Sequence, residues 1–344
     1  MKLRQLLSTF CVALLGLSSV SCSKNSDSAK IKVAIITNNP EDFWNICEEG
    51  AKTAAAKEGV ELIFRRPERA DVGIQRDMVN DLVNQGVSGI AVSVINPVEQ
   101  AESLRLVADK VNLLTMDNDA PKSNRKCYVG TDNYEAGKAV GRLVTEIMPE
   151  GGTVAIFVGE IAQANAQERF QGTLDGITGK KGTKPTELGK YKLYKNEAIT
   201  DGSKPAEALN NANNALAILA ETEKNICMVG LWAYNAPKCL EAAKSKGLQG
   251  KIKIVSFDEY EPTLEGINEG LIYATVVQDP YYFGYRSVEI LAALARGDES
   301  KLANGPVAHR IVMKTASKDP VTGEQRLSVK EFQDDFAKKL GKTK

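Results

Sequence analysis

Residues 113–121 read LLTMDNDAP, an apolar run that stops abruptly at Asp117 and is followed by two polar residues, an alanine and a proline. This pattern is typical of a buried parallel strand whose C-terminal end carries carboxylates. Residues 252–262 repeat it as IKIVSFDEYEP, with Asp258 in the position of Asp117. Because ligands bind beyond the carboxyl ends of strands in open α/β sheets, we expect these two strand ends to face each other across a ligand-binding cleft.

Strands and helices alternate on both sides of these two runs. Strand patterns occur at residues 31–37, 60–65, 89–95, 112–116, 128–131, 153–158, 191–197, 225–231, 252–257, 273–277 and 309–313. The segments between most of them have helical spacing, which favours parallel pairing with helices on both sheet faces. A chain of 344 residues also exceeds one typical core. We therefore predict an α/β protein with two Rossmann-like, doubly wound parallel-sheet lobes.

The order of the segments after Asp258 predicts that the chain passes between the lobes three times, near Thr131, Gln278 and His309. Several crossings form a hinge rather than a loose tether. The predicted N-terminal lobe comprises residues 31–131 and 280–308, and the predicted C-terminal lobe comprises residues 132–278 and 309–315. Residues 316–344 are a polar tail with one amphipathic helix at 329–340.

The first residues have the pattern of an export signal. Lys2 and Arg4 precede an apolar segment at residues 10–17 that is too short to span a bilayer, and small residues lead to Cys22. This arrangement resembles a bacterial lipoprotein cleavage site, so we predict a signal peptide over 1–22, a lipid on Cys22 and a polar tether over 23–30. A plain secreted product is the alternative. Either way, we expect the protein in the periplasm or at the cell surface.

Charge and motif content exclude several function classes. Lys+Arg and Asp+Glu both number 44, so no basic excess is available for nucleic acid. With His309 as the single histidine, histidine triads and multi-histidine metal sites are excluded. No phosphate-binding glycine motif follows the first strand. We expect no cofactor, no metal and no enzymatic activity, with one remaining alternative, a glycosidase that uses Asp117 and Asp258 as acid and base.

Four cysteines follow Cys22 in the sequence without a CxxC pair, namely Cys47, Cys127, Cys227 and Cys239. A chain of this length does not need disulfides for stability, so buried thiols are predicted. Cys47–Cys127 or Cys227–Cys239 disulfides are the alternative.

Aromatic residues near strand ends are candidates for contact with a ligand. Phe43 and Trp44 follow the first strand, and neighbouring helix positions diverge by about 100°, so one ring faces the cleft and the other the core. Trp232 follows the strand at 225–231, either in the opposite wall or in the core. A flat ring packs well against the C–H face of a sugar.

Polar residues at the remaining strand ends complete the predicted site. Asn96 precedes Pro97, where it either shapes the turn or binds ligand, and Arg169 is either solvated or donates paired hydrogen bonds to hydroxyls. Gln278 lies at a predicted crossing, and Asp119 shares the strand end of Asp117. Ionised carboxylates accept strong hydrogen bonds, so these side chains favour an uncharged ligand rich in hydroxyls.

Short motifs at these positions make the chain similar to a known family. They are NNPxxFW at 38–44, INP at 95–97, MDND at 116–119, ERFQG at 168–172, SFD at 256–258 and ATVVQ at 274–278. Over residues 31–313 the chain resembles the ribose-type periplasmic sugar-binding proteins of ABC transporters. The chain departs from that pattern at Asn118, where ribose binders have arginine, and at Trp232, where they have asparagine. It also has two extra residues, Glu41 and Asp42, before the aromatic pair.

The resemblance implies two lobes that close on a monosaccharide or polyol, with Phe43 and Trp44 stacked on it. It implies hydrogen bonds to the ligand hydroxyls from Asn96, Asp117, Arg169, Asp258 and Gln278. The implied partner is an ABC permease, and the implied state is a monomer that touches the membrane only through its lipid. The alternative is a sensor that presents its closed form to a chemoreceptor or histidine kinase. A repressor of related fold would need a helix-turn-helix where this chain has an export signal.

Overall fold

The computed structural model of the chain describes residues 30–302 and 305–339. The predicted signal peptide, the lipidation site Cys22 and the tether lie outside these residues, apart from Lys30 at the end of the tether.

The first sheet consists of five parallel strands in the order β2-β1-β3-β4-β5. Its strands and the helices between them are β1 (Lys32–Ile36), α1 (Phe43–Glu58), β2 (Glu61–Arg65), α2 (Val72–Asn84), β3 (Gly89–Val92), α3 (Ala101–Ala108), β4 (Asn112–Met116) and β5 (Tyr128–Val129). These strands are almost continuously apolar because both faces of the sheet are covered by helices.

The second sheet follows in the chain. Its elements are α4 (Asn133–Ile147), β6 (Gly152–Val158), α5 (Ala164–Thr178), β7 (Tyr191–Leu193), β8 (Ile199–Thr200), α6 (Pro205–Thr222), β9 (Ile226–Gly230), α7 (Asn235–Ser245), β10 (Lys253–Phe257), α8 (Glu261–Glu269), β11 (Ala274–Val277), α9 (Pro280–Ala295), β12 (Arg310–Met313), β13 (Ser317–Lys318), β14 (Gln325–Ser328) and α10 (Val329–Lys339). The strand order is β13-β14-β12-β11-β10-β9-β6-β7, with β8 also paired to β6. Only the β11–β12 and β13–β14 pairs, among the described strands, are antiparallel.

Each sheet has an apolar cluster on both of its faces. In the first sheet, α1 and α9 cover one face and α2 and α3 the other. In the second, α4 and α5 cover one face, and α6, α7, α8 and α10 cover the other. The predicted α/β class, with two doubly wound and mainly parallel sheets, is confirmed.

The chain passes between the two sheet layers at three places. It leaves the first sheet after β5, returns after β11 so that α9 packs on the first sheet, and leaves again before β12. Two of the connecting segments pair with each other, because the Val307 amide donates to the Gly130 carbonyl over 2.7 Å. The connections after β5 and before β12 therefore run side by side.

Helices α1 and α9 approach so closely that glycine is required on both. A Cβ at Gly284 would lie 1.9 Å from the Cys47 carbonyl oxygen, and one at Gly50 would lie 1.9 Å from the Tyr281 carbonyl oxygen.

We expect Gly284→Ala to lower the free energy of unfolding by about 2 kcal/mol or more, because the helices must separate to admit the methyl group. Urea unfolding followed by circular dichroism measures the change. The control is Gly73→Ala in α2, where the nearest atom is a side-chain oxygen of Asp71 at 3.2 Å. An equal loss in both variants would contradict close packing as the cause.

The segment after residue 316, predicted as a polar tail, extends the second sheet through β13 and β14. It is attached by the β12–β14 pairing, by apolar residues of α10 and by buried charges. The Arg326 side chain is 2% exposed and forms ion pairs with Glu146 at 2.9 Å and Asp319 at 3.1 Å. Charged residues do not produce the alternating apolar pattern of a strand, so these strands were not predicted from the sequence. Helix α8, a short helix with Pro262 in its first turn, was not predicted either. Helix α10 follows directly after β14, within the predicted 329–340 segment.

The four cysteines of the described chain are all buried, and none forms a disulfide. Burial raises the pKa of the Cys227 thiol to about 12, which keeps it protonated. The prediction of buried thiols, rather than the alternative disulfides, describes this structure.

Candidate ligand-binding site

Asp117 and Asp258 occupy equivalent positions at the ends of β4 and β10. Both have left-handed backbone conformations, with φ values of 60° and 69°. Such a conformation costs about 1–3 kcal/mol for a non-glycine residue, and it persists only where the surroundings hold it. The repeated strain in the two sheets therefore indicates a position at which side-chain direction matters.

The same set of hydrogen bonds holds both aspartates. The Asp117 amide donates to Val129 over 3.1 Å, and the Asp258 amide donates to Val276 over 2.8 Å, so each residue stays attached to the next strand. The carbonyl of Asp117 accepts from the Tyr128 hydroxyl over 2.8 Å. The carbonyl of Asp258 accepts in the same way from Thr275 over 2.7 Å. Both the amide and the carbonyl of each aspartate are thus hydrogen-bonded, which fixes the direction of its carboxylate.

Arg169, on α5, supplies the positive charge near these two carboxylates. Its side chain is 2% exposed. The guanidinium donates to Asn133 Oδ1 over 2.9 Å and to the Leu231 carbonyl over 3.0 Å, and it lies 3.9 Å above the ring of Phe257. Two buried acids and one buried base leave this region with an excess of negative charge.

A cavity of about 80 Å³ lies between the two sheets at this point. Its lining residues are Asn38, Asn39, Glu41, Asp42, Phe43, Trp44, Asp117, Gln163, Asn165, Arg169, Trp232, Ala233, Tyr234, Asp258, Tyr260 and Gln278. At roughly 12 Å³ for each water, the cavity would hold about six ordered waters. A small molecule with several hydroxyl groups could take their place.

Three predicted aromatic residues line the cavity. The ring of Phe43 packs edge-on against Trp44, with centroids 5.0 Å apart, and the indole of Trp44 donates to Asn39 Oδ1 over 2.9 Å. Trp232 makes a second edge-on pair with Tyr234 at 6.3 Å. Trp44 is 1% exposed and Phe43 is half-buried, so Trp44 belongs to the core while still reaching the cavity wall.

Several polar atoms around the cavity are buried and have no hydrogen-bond partner within the described residues. They are Asn38 Oδ1, Asn165 Oδ1, Arg169 Nη2, Trp232 Nε1 and Gln278 Oε1. Buried polar groups are nearly always hydrogen-bonded, so unpaired donors and acceptors around one cavity need an explanation. A ligand that both donates and accepts hydrogen bonds would satisfy them.

Burial shifts the ionisation of the two aspartates. It raises the pKa of Asp117 to about 6, with a further contribution from Asp258, while Arg169 and the 2.9 Å hydrogen bond from Ser93 act in the opposite direction. Burial also raises the pKa of Asp258, against the effects of Arg169 and of a 2.8 Å hydrogen bond from Gln278. In the unliganded protein the ionised forms are therefore destabilised.

This shift makes stability depend on pH. The contribution of Asp117 to stability is fully present at pH values below 3.8, the ordinary pKa of an aspartate. It is lost as the pH rises through about 6, the pKa in the folded protein. Asp117→Asn stays neutral, so we expect its stability relative to wild type to increase by up to about 3 kcal/mol between pH 4 and pH 7.5. Urea unfolding across this pH range measures it. The surface variant Asp109→Asn is the control, and a difference that does not vary with pH would contradict the expectation.

Two predicted residues do not line the cavity. Asn96 caps its own turn, accepting from the amides of Val98 at 3.1 Å and Glu99 at 3.2 Å, because the Asn-Pro sequence turns the chain there. Asp119 is held by Arg125, which donates to its two carboxylate oxygens at 2.5 and 2.6 Å. In this structure neither side chain lines the cavity with the other predicted residues, and their contact with a ligand stays a prediction.

Other residues of the cavity wall were not predicted from the sequence. Asn38 Nδ2 lies 3.5 Å from Gln163 Oε1, and the Asn165 amide donates to Asn118 Oδ1 over 3.2 Å. Both contacts join the first sheet layer to α5 and its preceding loop. A polar loop directly after β6 is the signal that could have suggested Gln163 and Asn165, by analogy with the loop after β1.

The described residues contain no helix that is both long and apolar enough to cross a bilayer, and no cluster of acidic, histidine or cysteine side chains that could hold a metal ion.

The chain is similar to several known proteins, among them import and solute-binding proteins. The chain is 23% identical over 311 residues to the ribose import binding protein RbsB of Haemophilus influenzae, covering 87% of this chain and 96% of that protein. A solute-binding protein from Burkholderia graminis, solved with D-arabinose, is 27% identical with a TM-score of 0.76, covering 83% of this chain and 96% of that one. The XylFII chain of a XylFII–LytSN complex is 25% identical with a TM-score of 0.73, covering 83% and 98%.

A family sequence model matches most of the chain. The sequence model of the periplasmic binding protein domain matches residues 32–299, from the first strand to just beyond α9. This range includes every cavity-lining residue described above. The protein therefore belongs to the periplasmic binding protein domain family.

Proposed function

We propose that the protein captures a monosaccharide or polyol between two closing lobes and delivers it to an ABC permease. The observation that carries this proposal is the pair of buried, strained aspartates, one from each sheet, on either side of a cavity with unpaired donors and acceptors. Family membership and the sugar-binding relatives agree with it.

Closure follows from ligand contact with both lobes. We assign residues 31–131 and 280–308 to one lobe and residues 132–278 and 309–315 to the other, with the three connecting segments as the hinge. A ligand shifts an open–closed equilibrium only through its preference for the closed form, so it must touch both lobes. Asp117 and Asp258 provide one strong acceptor from each, and Phe43 and Trp232 provide one ring from each.

The charge of the cavity favours an uncharged ligand. Anionic sugars would face two buried carboxylates, and Arg169 already interacts with both of them. Hydroxyl groups can donate to Asp117 and Asp258 and accept from Arg169 Nη2 and Trp232 Nε1. We propose Phe43, Trp44, Asp117, Arg169, Trp232, Asp258 and Gln278 as ligand-binding residues.

We further propose that the chain is exported, cleaved before Cys22 and lipidated on that cysteine. A lipid anchor would keep the protein near its permease, in the periplasm or at the cell surface. Labelling with a radioactive fatty acid, in wild type and in Cys22→Ser, tests this proposal; equal labelling of the two would refute it.

A sensor is the second candidate, favoured by the likeness to XylFII in its complex with LytSN. The same closed form would then bind the ectodomain of a chemoreceptor or histidine kinase. Deletion of the gene for this protein separates the two functions. Loss of sugar uptake favours transport, and unchanged uptake with loss of a sugar-induced response favours sensing.

A thermal-shift screen of neutral monosaccharides and polyols, followed by calorimetry, tests the binding function. A bound sugar at 100 times its Kd should stabilise the protein by about 2.7 kcal/mol. Glucuronate is the anionic control and should give a smaller shift than glucose. Absence of any shift across the panel would refute the proposal, and release of free sugar from a glycoside would support the glycosidase alternative.

A further inference from the structure

A second and larger cavity adjoins the first. It has a volume of about 650 Å³ and shares Asp42, Phe43, Ala233, Asp258 and Tyr260 with the inner cavity. At roughly 12 Å³ for each water, the outer cavity has room for about fifty waters, against about six inside. A ligand bound in the inner cavity could therefore extend past Phe43 and Asp258 into a space large enough for another ring.

Helix α10 forms one wall of this outer cavity, through Phe332, Gln333, Phe336 and Ala337. The apolar contacts of Val329 and Phe332 hold it against the second sheet. Two ion pairs add to them, Arg310 with Asp335 at 2.7 Å and Lys339 with Asp279 at 2.5 Å. The rings of Phe332 and Phe336 lie nearly parallel, with centroids 6.1 Å apart. The helix lies beyond residues 32–299, which the family model matches.

The other walls combine aromatic and acidic side chains. Phe43 and the 41% exposed Tyr260 flank the passage from the inner cavity, and no lysine, arginine or histidine lines the outer cavity within the described residues. Rings with exposed faces offer apolar contact to the C–H groups of a sugar. The outer cavity thus shares aromatic and acidic side chains with the inner cavity but lacks its arginine.

Glu259 provides the polar group that a second ring would need. Both its carboxyl oxygens are buried and unpartnered in the described structure. Burial raises the pKa of Glu259, with further contributions from Asp258 and Asp279 and opposing ones from its own backbone amide and from Arg310. Burial thus favours the protonated carboxyl, which can both donate to and accept from a hydroxyl. A buried polar group without a hydrogen-bond partner destabilises the protein, and a ligand that bonds to it would remove this free-energy cost.

From these observations we infer that the ligand is a disaccharide, with one ring in the inner cavity and the second between Glu259, Phe43 and α10. This inference rests on the proposed sugar-binding function and narrows its ligand class. The second ring would gain hydrogen bonds to Glu259 and contact with Phe336.

Calorimetry with matched sugars tests the inference directly. The panel pairs glucose, galactose, xylose and arabinose with cellobiose, maltose, lactose, melibiose, xylobiose and arabinobiose. We expect at least one disaccharide to bind about 10-fold or more tightly than either of its component sugars. If monosaccharides bind and every disaccharide binds more weakly, the inference is overturned while the binding function stands. If no sugar of either class binds, both are overturned.

Variants then locate the second ring. Glu259→Leu should weaken disaccharide binding about 10-fold and change monosaccharide binding less than about 3-fold, and Glu259→Gln should restore most of the affinity. Removal of an unpartnered carboxyl should also raise the Tm of the unliganded Glu259→Leu protein. A raised Tm would exclude misfolding as the cause of the weaker disaccharide binding. Glu265→Leu, on the exposed face of α8, is the matched control. Equal losses for both classes of sugar in Glu259→Leu would overturn the assignment.

Discussion

Asp117→Ala and Asp258→Ala will each weaken binding of the cognate sugar by about 2–4 kcal/mol, or roughly 30- to 1000-fold. Each carboxylate accepts a hydrogen bond within the protein, from Ser93 or from Gln278, and each is positioned by a strained backbone to accept more from a ligand. Loss of one carboxylate leaves ligand hydroxyls and a protein donor without a partner. Because the two come from different sheets, either loss also reduces the preference of the ligand for the closed form.

Isothermal titration calorimetry with the sugar found by screening measures this effect. Asp119→Asn is a matched control, since that carboxylate belongs to the same strand end but pairs with Arg125 and does not line the cavity. We expect its affinity to stay within about 3-fold of wild type. Wild-type affinity in either alanine variant would contradict the site, whatever the behaviour of the control.

Arg169→Met will lower the free energy of unfolding by about 3–5 kcal/mol at pH 8, the scale for leaving a buried charge without its partner. Arg169 opposes the effect of burial on both Asp117 and Asp258, and it also binds Asn133 and the Leu231 carbonyl. Without it, the pKa of each aspartate rises further. The loss should therefore be smaller at pH 5, where both carboxyls can take up a proton.

Urea unfolding at pH 8 and pH 5 measures this loss. Arg169→Lys keeps the charge but not the planar set of donors, so we expect an intermediate effect. Arg76→Met, on the exposed surface of α2, is the control and should change stability by less than about 0.5 kcal/mol. A loss for Arg169→Met that is the same at both pH values would show that packing, rather than charge, is responsible.

Much of the fold was predictable because the apolar runs in the sequence form the buried strands of the structure. The run before Asp117 became β4 with the same bounds, residues 112–116, and the run before Asp258 became β10. Buried parallel strands need continuous apolar residues, and a parallel sheet must bring its carboxyl ends to one edge. These two rules were enough to predict two acidic strand ends and a cavity beside them.

Which of several neighbouring polar residues lines the cavity was not predictable in the same way. Asp117 and Asp119 are two positions apart in one acidic run, yet one lines the cavity and the other pairs with Arg125. The left-handed backbone at Asp117 decides this, and it depends on bonds from β5, a different strand. Likewise, Asn96 follows a strand as Asp117 does, but its side chain caps a local turn.

By itself, then, the sequence determined the alternation of strands and helices, the two sheets and the acidic strand ends, because burial requires these patterns of apolar residues locally. Tertiary structure alone decided which side chains share the cavity and where β13, β14 and α10 attach. Those features depend on hydrogen bonds and ion pairs between segments distant in the chain, such as Arg326 with Glu146, and such pairs leave no local pattern.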